Sequence, residues 1–221
     1  MEKNKWVGGT KMKVVGINGS PRKDGNTFLA LEEMSRQLKK EGIEVEIIHI
    51  GADLIRGCIG CGYCKTSDEN LCVFKDDSVN ETIQKLRAAD GIIFGSPTYY
   101  AGIAGTMKSF LDRVFYTNSA AQKFKHKIGT SIGVARRAGA VDVVQQLNNY
   151  FLLAEMVVPQ SQYWNIVFGL QKGEVLEDLE GMQTLRKNAS AMAWLMKMKE
   201  STEGSIGLPL QEERLATHFI R

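Results

Sequence analysis

Met12-Lys13-Val14-Val15-Gly16-Ile17-Asn18-Gly19-Ser20-Pro21-Arg22-Lys23-Asp24-Gly25-Asn26-Thr27 is the stretch whose reading decides how this chain folds. A short run of apolar and β-branched residues reads as a buried strand; it breaks into a Gly/Ser/Pro/Asn loop that feeds an amphipathic helix. A helix beginning near Asn26 or Thr27 leaves its first N–H groups unpaired and facing back at the loop, where its dipole favours an anion. That order of elements makes a phosphate site running from Ser20 through Arg22, Gly25 and Asn26 to Thr27. Ser20 and Thr27 add hydroxyl donors and Arg22 a forked cation. The spacing of Gly16, Gly19 and Gly25 matches neither Walker A nor the dinucleotide fingerprint.

Outward from this loop, Phe28, Leu31, Met34 and Leu38 recur at helical spacing, and Ile43 to Ile50 alternates as a second strand. His49, near the end of that strand, has no nucleophile or acid beside it and reads as structural. Ser78 and Glu81 suit a capping box for a helix carrying Val79, Ile83 and Leu86. Gly91 to Ser96 reads as a fully buried third strand, followed by Pro97-Thr98-Tyr99-Tyr100-Ala101-Gly102 and a helix striped with Met107, Phe110, Leu111 and Val114. Ile128 to Ala135 is a fourth strand and Val141 to Ala154 a fourth helix. Met156 to Ile166, interrupted by Pro159, reads as a last strand at a sheet edge. Leu176, Leu179, Leu185, Ala189, Met192 and Met196 support a final helix.

This alternation predicts an α/β fold: a doubly wound, five-stranded parallel sheet covered on both faces, with ligands beyond the carboxyl ends of the strands. The 221 residues, 43% hydrophobic, suit one domain. Twenty-eight basic residues against 25 acidic give +3, and no Lys/Arg block points to nucleic acid. Met1 to Lys11 holds only Trp6 and Val7 as larger apolar residues, and no later run approaches a membrane span. The expectation is a cytoplasmic protein with no membrane partner.

All four cysteines fall in one segment, Cys58, Cys61, Cys64 and Cys72, so their role is local. Thiolates two residues apart lie within about 10 Å of chain, so a folded loop can place three of them on one small cluster and return the fourth. A 4Fe-4S cluster is the favoured reading; free thiols, a disulfide and zinc are the alternatives.

Gly19-Ser20-Pro21-Arg22 with Gly25-Asn26-Thr27, then Gly95-Ser96-Pro97-Thr98-Tyr99, then Lys108-Ser109-Phe110-Leu111-Asp112-Arg113, resemble the flavodoxin-like NAD(P)H-dependent FMN reductases. With the cysteines included, the chain resembles the iron-sulfur flavoproteins of that superfamily. The resemblance implies a three-layer αβα flavodoxin-type sheet binding FMN, the phosphate in the Ser20 to Thr27 loop and the ring against Pro97 to Gly102. Tyr99 and Tyr100 offer a flat wall, or are ordinary loop residues; Thr98, Ala101 and Gly102 offer polar backbone and side-chain groups. Ala135 to Gly139 supplies a third wall, where Arg136 or Arg137 is either near a phosphate or only solvated charge.

On this resemblance the chain divides into a flexible lead (1–11), a flavodoxin-like FMN domain (12–166) carrying the cysteine loop (58–72), and a helical extension and tail (167–221) that contacts an oligomer partner. A homodimer or homotetramer is expected, because Trp194, Leu195, Met196 and Met198, followed by Leu208 and Leu210, exceed what one buried helix face requires. Two functions follow. One is an oxidoreductase passing electrons from NADH or NADPH through FMN to a flavin, quinone or other acceptor. The other is an electron-transfer protein fed by a ferredoxin-like partner. A regulatory flavin-binding module is a third reading, which requires FMN to bind without turnover.

Overall fold

β1 (Lys13–Asn18) is buried along all but its first residue, since Val14, Val15 and Ile17 have a strand on each side and a helical layer on each face. The computed structural model describes residues 11–210 together with 212, 215, 217 and 219. After β1 come α1 (Asn26–Lys40), β2 (Glu44–His49) and the cysteine segment, which contains one helical turn, α2 (Tyr63–Thr66). α3 (Val79–Ala88) leads into β3 (Gly91–Tyr99), whose far end turns back through β4 (Gly102–Ile103) before α4 (Gly105–Ala121). β5 (Ile128–Ala135), α5 (Ala140–Leu153), β6 (Ile166–Phe168), a 3₁₀ turn (Glu174–Glu177) and α6 (Leu179–Thr202) complete the order.

The sheet runs β2-β1-β3-β5-β6 with every neighbouring pair parallel, while β4 pairs antiparallel with the outer end of β3. The five parallel strands make the flavodoxin-like three-layer fold. The order reverses between β1 and β3, and their register sets Asn18 level with Gly95, so the loops leaving both strands open at one place. One face is covered by α3, α4 and α5, with Phe94 and Phe151 stacked at 4.8 Å between ring centroids. The other is covered by α1 and α6, where Leu31, Met34 and Leu38 meet Leu185, Ala189 and Met192. α6 therefore closes the second core. Its buried Asn188 accepts from Thr130 Oγ1 at 2.9 Å and donates to the Pro159 carbonyl at 3.0 Å.

Three expectations need correction. The last strand is Ile166–Phe168, at the sheet edge; of the segment Met156 to Ile166, Val157 makes only an isolated bridge with Ile128. Pro159 has no N–H for a ladder, and its carbonyl is turned to Asn188. The capping box does not form, because the Ser78 hydroxyl donates to Asp53 Oδ2 at 2.8 Å and Asp77 Oδ1 accepts from the Val79 amide at 3.2 Å. Glu81 instead pairs with Lys85. Finally, the apolar surplus on α6 is smaller than expected: Trp194 and Met198 are exposed, but Met196 is buried and Leu195 packs on the second core.

The lead lies outside the described residues except Lys11, which pairs with Glu44 at 3.0 Å. Much of the tail beyond Leu210 also lies outside them. Among the described residues, no helix is long and apolar enough to cross a membrane.

Candidate functional site

The loop after β1 is shaped by its own residues and by the strands beside it. Asn18 works from inside: its Oδ1 accepts from the Ser20 amide at 3.0 Å and its Nδ2 donates to the Lys23 carbonyl at 3.0 Å. The Gly19 amide donates to the Gly95 carbonyl at 2.9 Å, and the Ile50 amide to the Asn18 carbonyl at 3.0 Å. The ring of His49 lies 2.7 Å from the Ser20 carbonyl, so the structural reading of this histidine acquires a partner. Gly51 is needed at this crossing, since a Cβ there would stand 2.0 Å from the Ser20 carbonyl oxygen. Gly25, at the start of α1, has no side chain and so offers the opening amides of the helix no capping acceptor of its own.

These residues border a cleft of about 190 Å³ lined by Ser20, Arg22, Gly25, Asn26 and Thr27 on one side and by Pro97, Thr98, Tyr99 and Ala135 on the other. Arg136 also lines it, and Arg137 does not. Thr98 lines the cleft, and its Oγ1 is a buried polar atom with no hydrogen-bond partner among the described residues. Tyr100, Ala101 and Gly102 do not line the cleft. They form the tip of the β3–β4 hairpin, where Tyr100 and Ala101 have positive φ and Tyr100 is fully exposed. The hairpin is held by Ser96 Oγ, which accepts from the Ala104 amide at 3.0 Å, and by Gln146 Nε2, which donates to the Ala101 carbonyl at 3.3 Å.

The fourth wall was missed in the sequence. Gly169, Leu170 and Lys172, just beyond β6, also line the cleft. Asn26 seats this segment with both ends of its carboxamide: Nδ2 donates to the Gln171 carbonyl at 2.9 Å and Oδ1 accepts from the Gly173 amide at 2.9 Å. Lys172 pairs with Asp24 across the mouth, and this pairing holds the Asp24 carboxyl below its usual range. No local signal marks Lys172, because its partners lie far away in the chain.

All four cysteines are free and line a second, smaller pocket of about 20 Å³, together with Phe74, Arg113 and Tyr116. Cys64 is buried, Cys58 and Cys72 are half-buried and Cys61 is exposed. Burial pushes the Cys64 thiol up. Among the described residues, no three Cys, His, Asp or Glu groups stand together as a site for a metal ion. Four thiols lining one pocket are, in donor type, a set that thiolate-ligated groups use, but the described residues are not drawn together as a metal site.

Side chains from α3 and α4 hold this loop. Asn80 accepts from the Cys72 amide at 2.9 Å and donates to the Cys72 and Phe74 carbonyls, each at 2.9 Å. Arg87 donates to the carbonyls of Glu69 at 2.8 Å and Asn70 at 2.7 Å. Arg113, whose side chain is fully buried, pairs with Asp77 and donates from Nε to Cys72 Sγ at 3.2 Å. Burial by itself would lower Arg113, but Asp77 and Cys72 more than offset it and keep the guanidinium charged. The cleft and the cysteine pocket share no lining residue; α4 connects them, starting after the hairpin that bears Pro97 to Tyr99 and carrying Arg113 on its middle turns.

Comparison with known proteins shows the family and the fold. The family described as NADPH-dependent FMN reductase matches residues 12–171. An iron-sulfur flavoprotein of Methanocaldococcus jannaschii is 36% identical over 194 residues, covering 85% of this chain and 98% of the relative. One from Archaeoglobus fulgidus is 36% identical over 206 residues, covering 92% of this chain and 90% of its own. In fold, the chain is similar to the Trp repressor binding protein from Bacillus subtilis, with a TM-score of 0.59 at 22% identity over 79% of this chain and 98% of that one. The chain belongs to the NADPH-dependent FMN reductase family, in the branch of the iron-sulfur flavoproteins, and is a flavin oxidoreductase.

Proposed function

We propose that this member of the NADPH-dependent FMN reductase family oxidises NADH or NADPH with FMN in the phosphate-loop cleft and holds a 4Fe-4S cluster on Cys58, Cys61, Cys64 and Cys72. The observation that carries the reading is the pairing of two pockets on one helix: α4 follows the cleft hairpin and seats the cysteine loop. The names of its relatives support the cluster. FMN supplies hydride and one-electron chemistry when bound, and the cluster one-electron storage.

The chain's own residues bind and orient. The opening amides of α1, the hydroxyls of Ser20 and Thr27 and the Arg22 guanidinium suit the phosphate. Thr98, with its unmet hydroxyl, Pro97 and Tyr99 suit the ring, and Lys172 with Asp24 narrows the mouth.

Anaerobic mixing of the FMN-loaded protein with NADH or NADPH, followed at the flavin absorption band, tests the reading together with iron and acid-labile sulfide per chain. Rapid bleaching by a nicotinamide and about four irons per chain, the content of the cluster type proposed, are expected. Near-zero iron in anaerobic protein, with nicotinamide reduction intact, leaves a plain FMN reductase.

A second reading is an electron-transfer flavoprotein with a ferredoxin-like donor. It is favoured by the exposure of Cys61 beside Ile59 and Tyr63, which opens the edge of the cysteine pocket to a protein partner. Bleaching by a reduced ferredoxin but by neither nicotinamide selects it. Exposed Trp194 and Met198 on α6 support a homodimer or homotetramer, and a monomer in light scattering would remove that assignment.

A further inference from the structure

Arg113 is the most fully committed polar side chain in the molecule's second pocket. It sits mid-helix on α4 with its side chain fully buried, and each of its N–H directions meets a partner from the cysteine segment. Nη1 reaches the Arg56 carbonyl at 3.4 Å, ahead of Cys58, and Nη2 the Phe74 carbonyl at 3.3 Å, just past Cys72. Both nitrogens of the fork grip the Asp77 carboxylate. The remaining donor, Nε–H, lies 3.2 Å from Cys72 Sγ. Phe74 packs against the guanidinium face, 5.3 Å from its ring centroid.

An isolated guanidinium is costly to bury, and a lysine could balance one carboxylate as well. What only the planar five-donor fork provides is simultaneous contact with both ends of the loop, the carboxylate and the sulfur. Asp77 neutralises the charge of Arg113, so its effect on Cys72 is the directed N–H bond rather than bulk positive charge. A donor aimed at a ligand sulfur favours the more negative, reduced form of an iron–sulfur group.

We propose that Arg113 is the positioning residue of the cysteine site: one guanidinium ties the segment before Cys58 to the segment after Cys72 and keeps an N–H on the Cys72 sulfur. It thereby fixes both ends of the segment that bears the four thiols and raises the reduction potential of the cluster. This rests on the cluster reading above.

The test compares wild type with Arg113→Lys, which keeps the charge and loses the fork. In protein reconstituted anaerobically with ferrous iron and sulfide, Arg113→Lys lowers the reduced-to-oxidised ratio of the cluster about tenfold at fixed potential, a shift of about 59 mV for one electron. In metal-free protein, amide hydrogen exchange across residues 56–77 accelerates about tenfold or more, while the loop after β1 is unchanged.

An unchanged cluster potential overturns the role at the sulfur, and unchanged exchange overturns the role in ordering the loop. If wild type takes up no iron, the cluster reading fails by itself, and the exchange experiment still decides what Arg113 does. Retained FMN shows that the variant is folded. Should Arg113→Lys lose FMN, Asp77→Asn, which frees the fork, is expected to give the same rise in exchange, and its absence overturns the proposal.

Discussion

The glycine-rich loop after β1 and the cysteine loop leave neighbouring strands of one sheet, β1 and β2, yet they are held in shape by different means. The first is built from backbone bonds and short-range side-chain bonds: Gly19 to Gly95, Ile50 to Asn18, and Asn18 to residues two and five positions away. The second is held from outside by Asn80, Arg87 and Arg113, carried on helices that reach it only once they have packed. A loop fixed by the sheet's own register keeps its form as long as the sheet does. A loop fixed by a few buried side chains can lose it to a single substitution.

The largest test of that contrast is Asp77→Ala. It leaves the buried Arg113 without its carboxylate, which costs about 3 to 5 kcal/mol in urea unfolding. Asp24→Ala, which breaks an exposed pair at the mouth of the cleft, produces no measurable change in the same experiment. If both variants unfold alike, the distinction between the loops fails.

A backbone-built loop should yield to crowding rather than to loss of charge. Gly51→Ala drives a methyl into the Ser20 carbonyl, and overpacking of about 1 to 3 kcal/mol is expected, weakening FMN at least about fivefold in a titration. Iron uptake by the cysteines should be unaffected.

His49→Ala sharpens the same point with a smaller effect. Losing its contact with the Ser20 carbonyl costs about 1 kcal/mol, again read as FMN affinity. An affinity equal to wild type would show that the strand register alone holds the loop.

The smallest effect is confined to alkaline solution and concerns the other side of α4. Burial first, and the bond to Asp112 second, push the Tyr150 hydroxyl from its ordinary 10.0 up to about 12. The folded state favours the neutral phenol, so this contribution is intact below the unfolded value and is lost as pH rises from about 10 towards about 12. Thermal melts across that window should show a steeper decline for wild type than for Tyr150→Phe.

Much of the fold was legible because its signals are local. β5 occupies Ile128–Ala135 as the buried run indicated, and α1 starts at Asn26, where glycine and polar residues give way to helical spacing. β6 was misplaced because an apolar run cannot show that Pro159 has turned its carbonyl to a helix later in the chain. Ser78 looked like a cap because its partner on the 50–55 turn, Asp53, is invisible to a pattern read within one helix.

By itself the sequence determined the alternation of elements, the parallel sheet, the glycine-rich loop between the first strand and helix and the confinement of the thiols to one segment, since periodicity and turn chemistry act over a few residues. Only the tertiary structure decided that Asn26 seats the segment beyond β6, that exposed Tyr100 is not part of the cleft lining, and that Arg113 reaches the Cys72 sulfur. Those choices depend on which faces the helices and the hairpin present after the core has closed, and packing between distant segments sets that orientation.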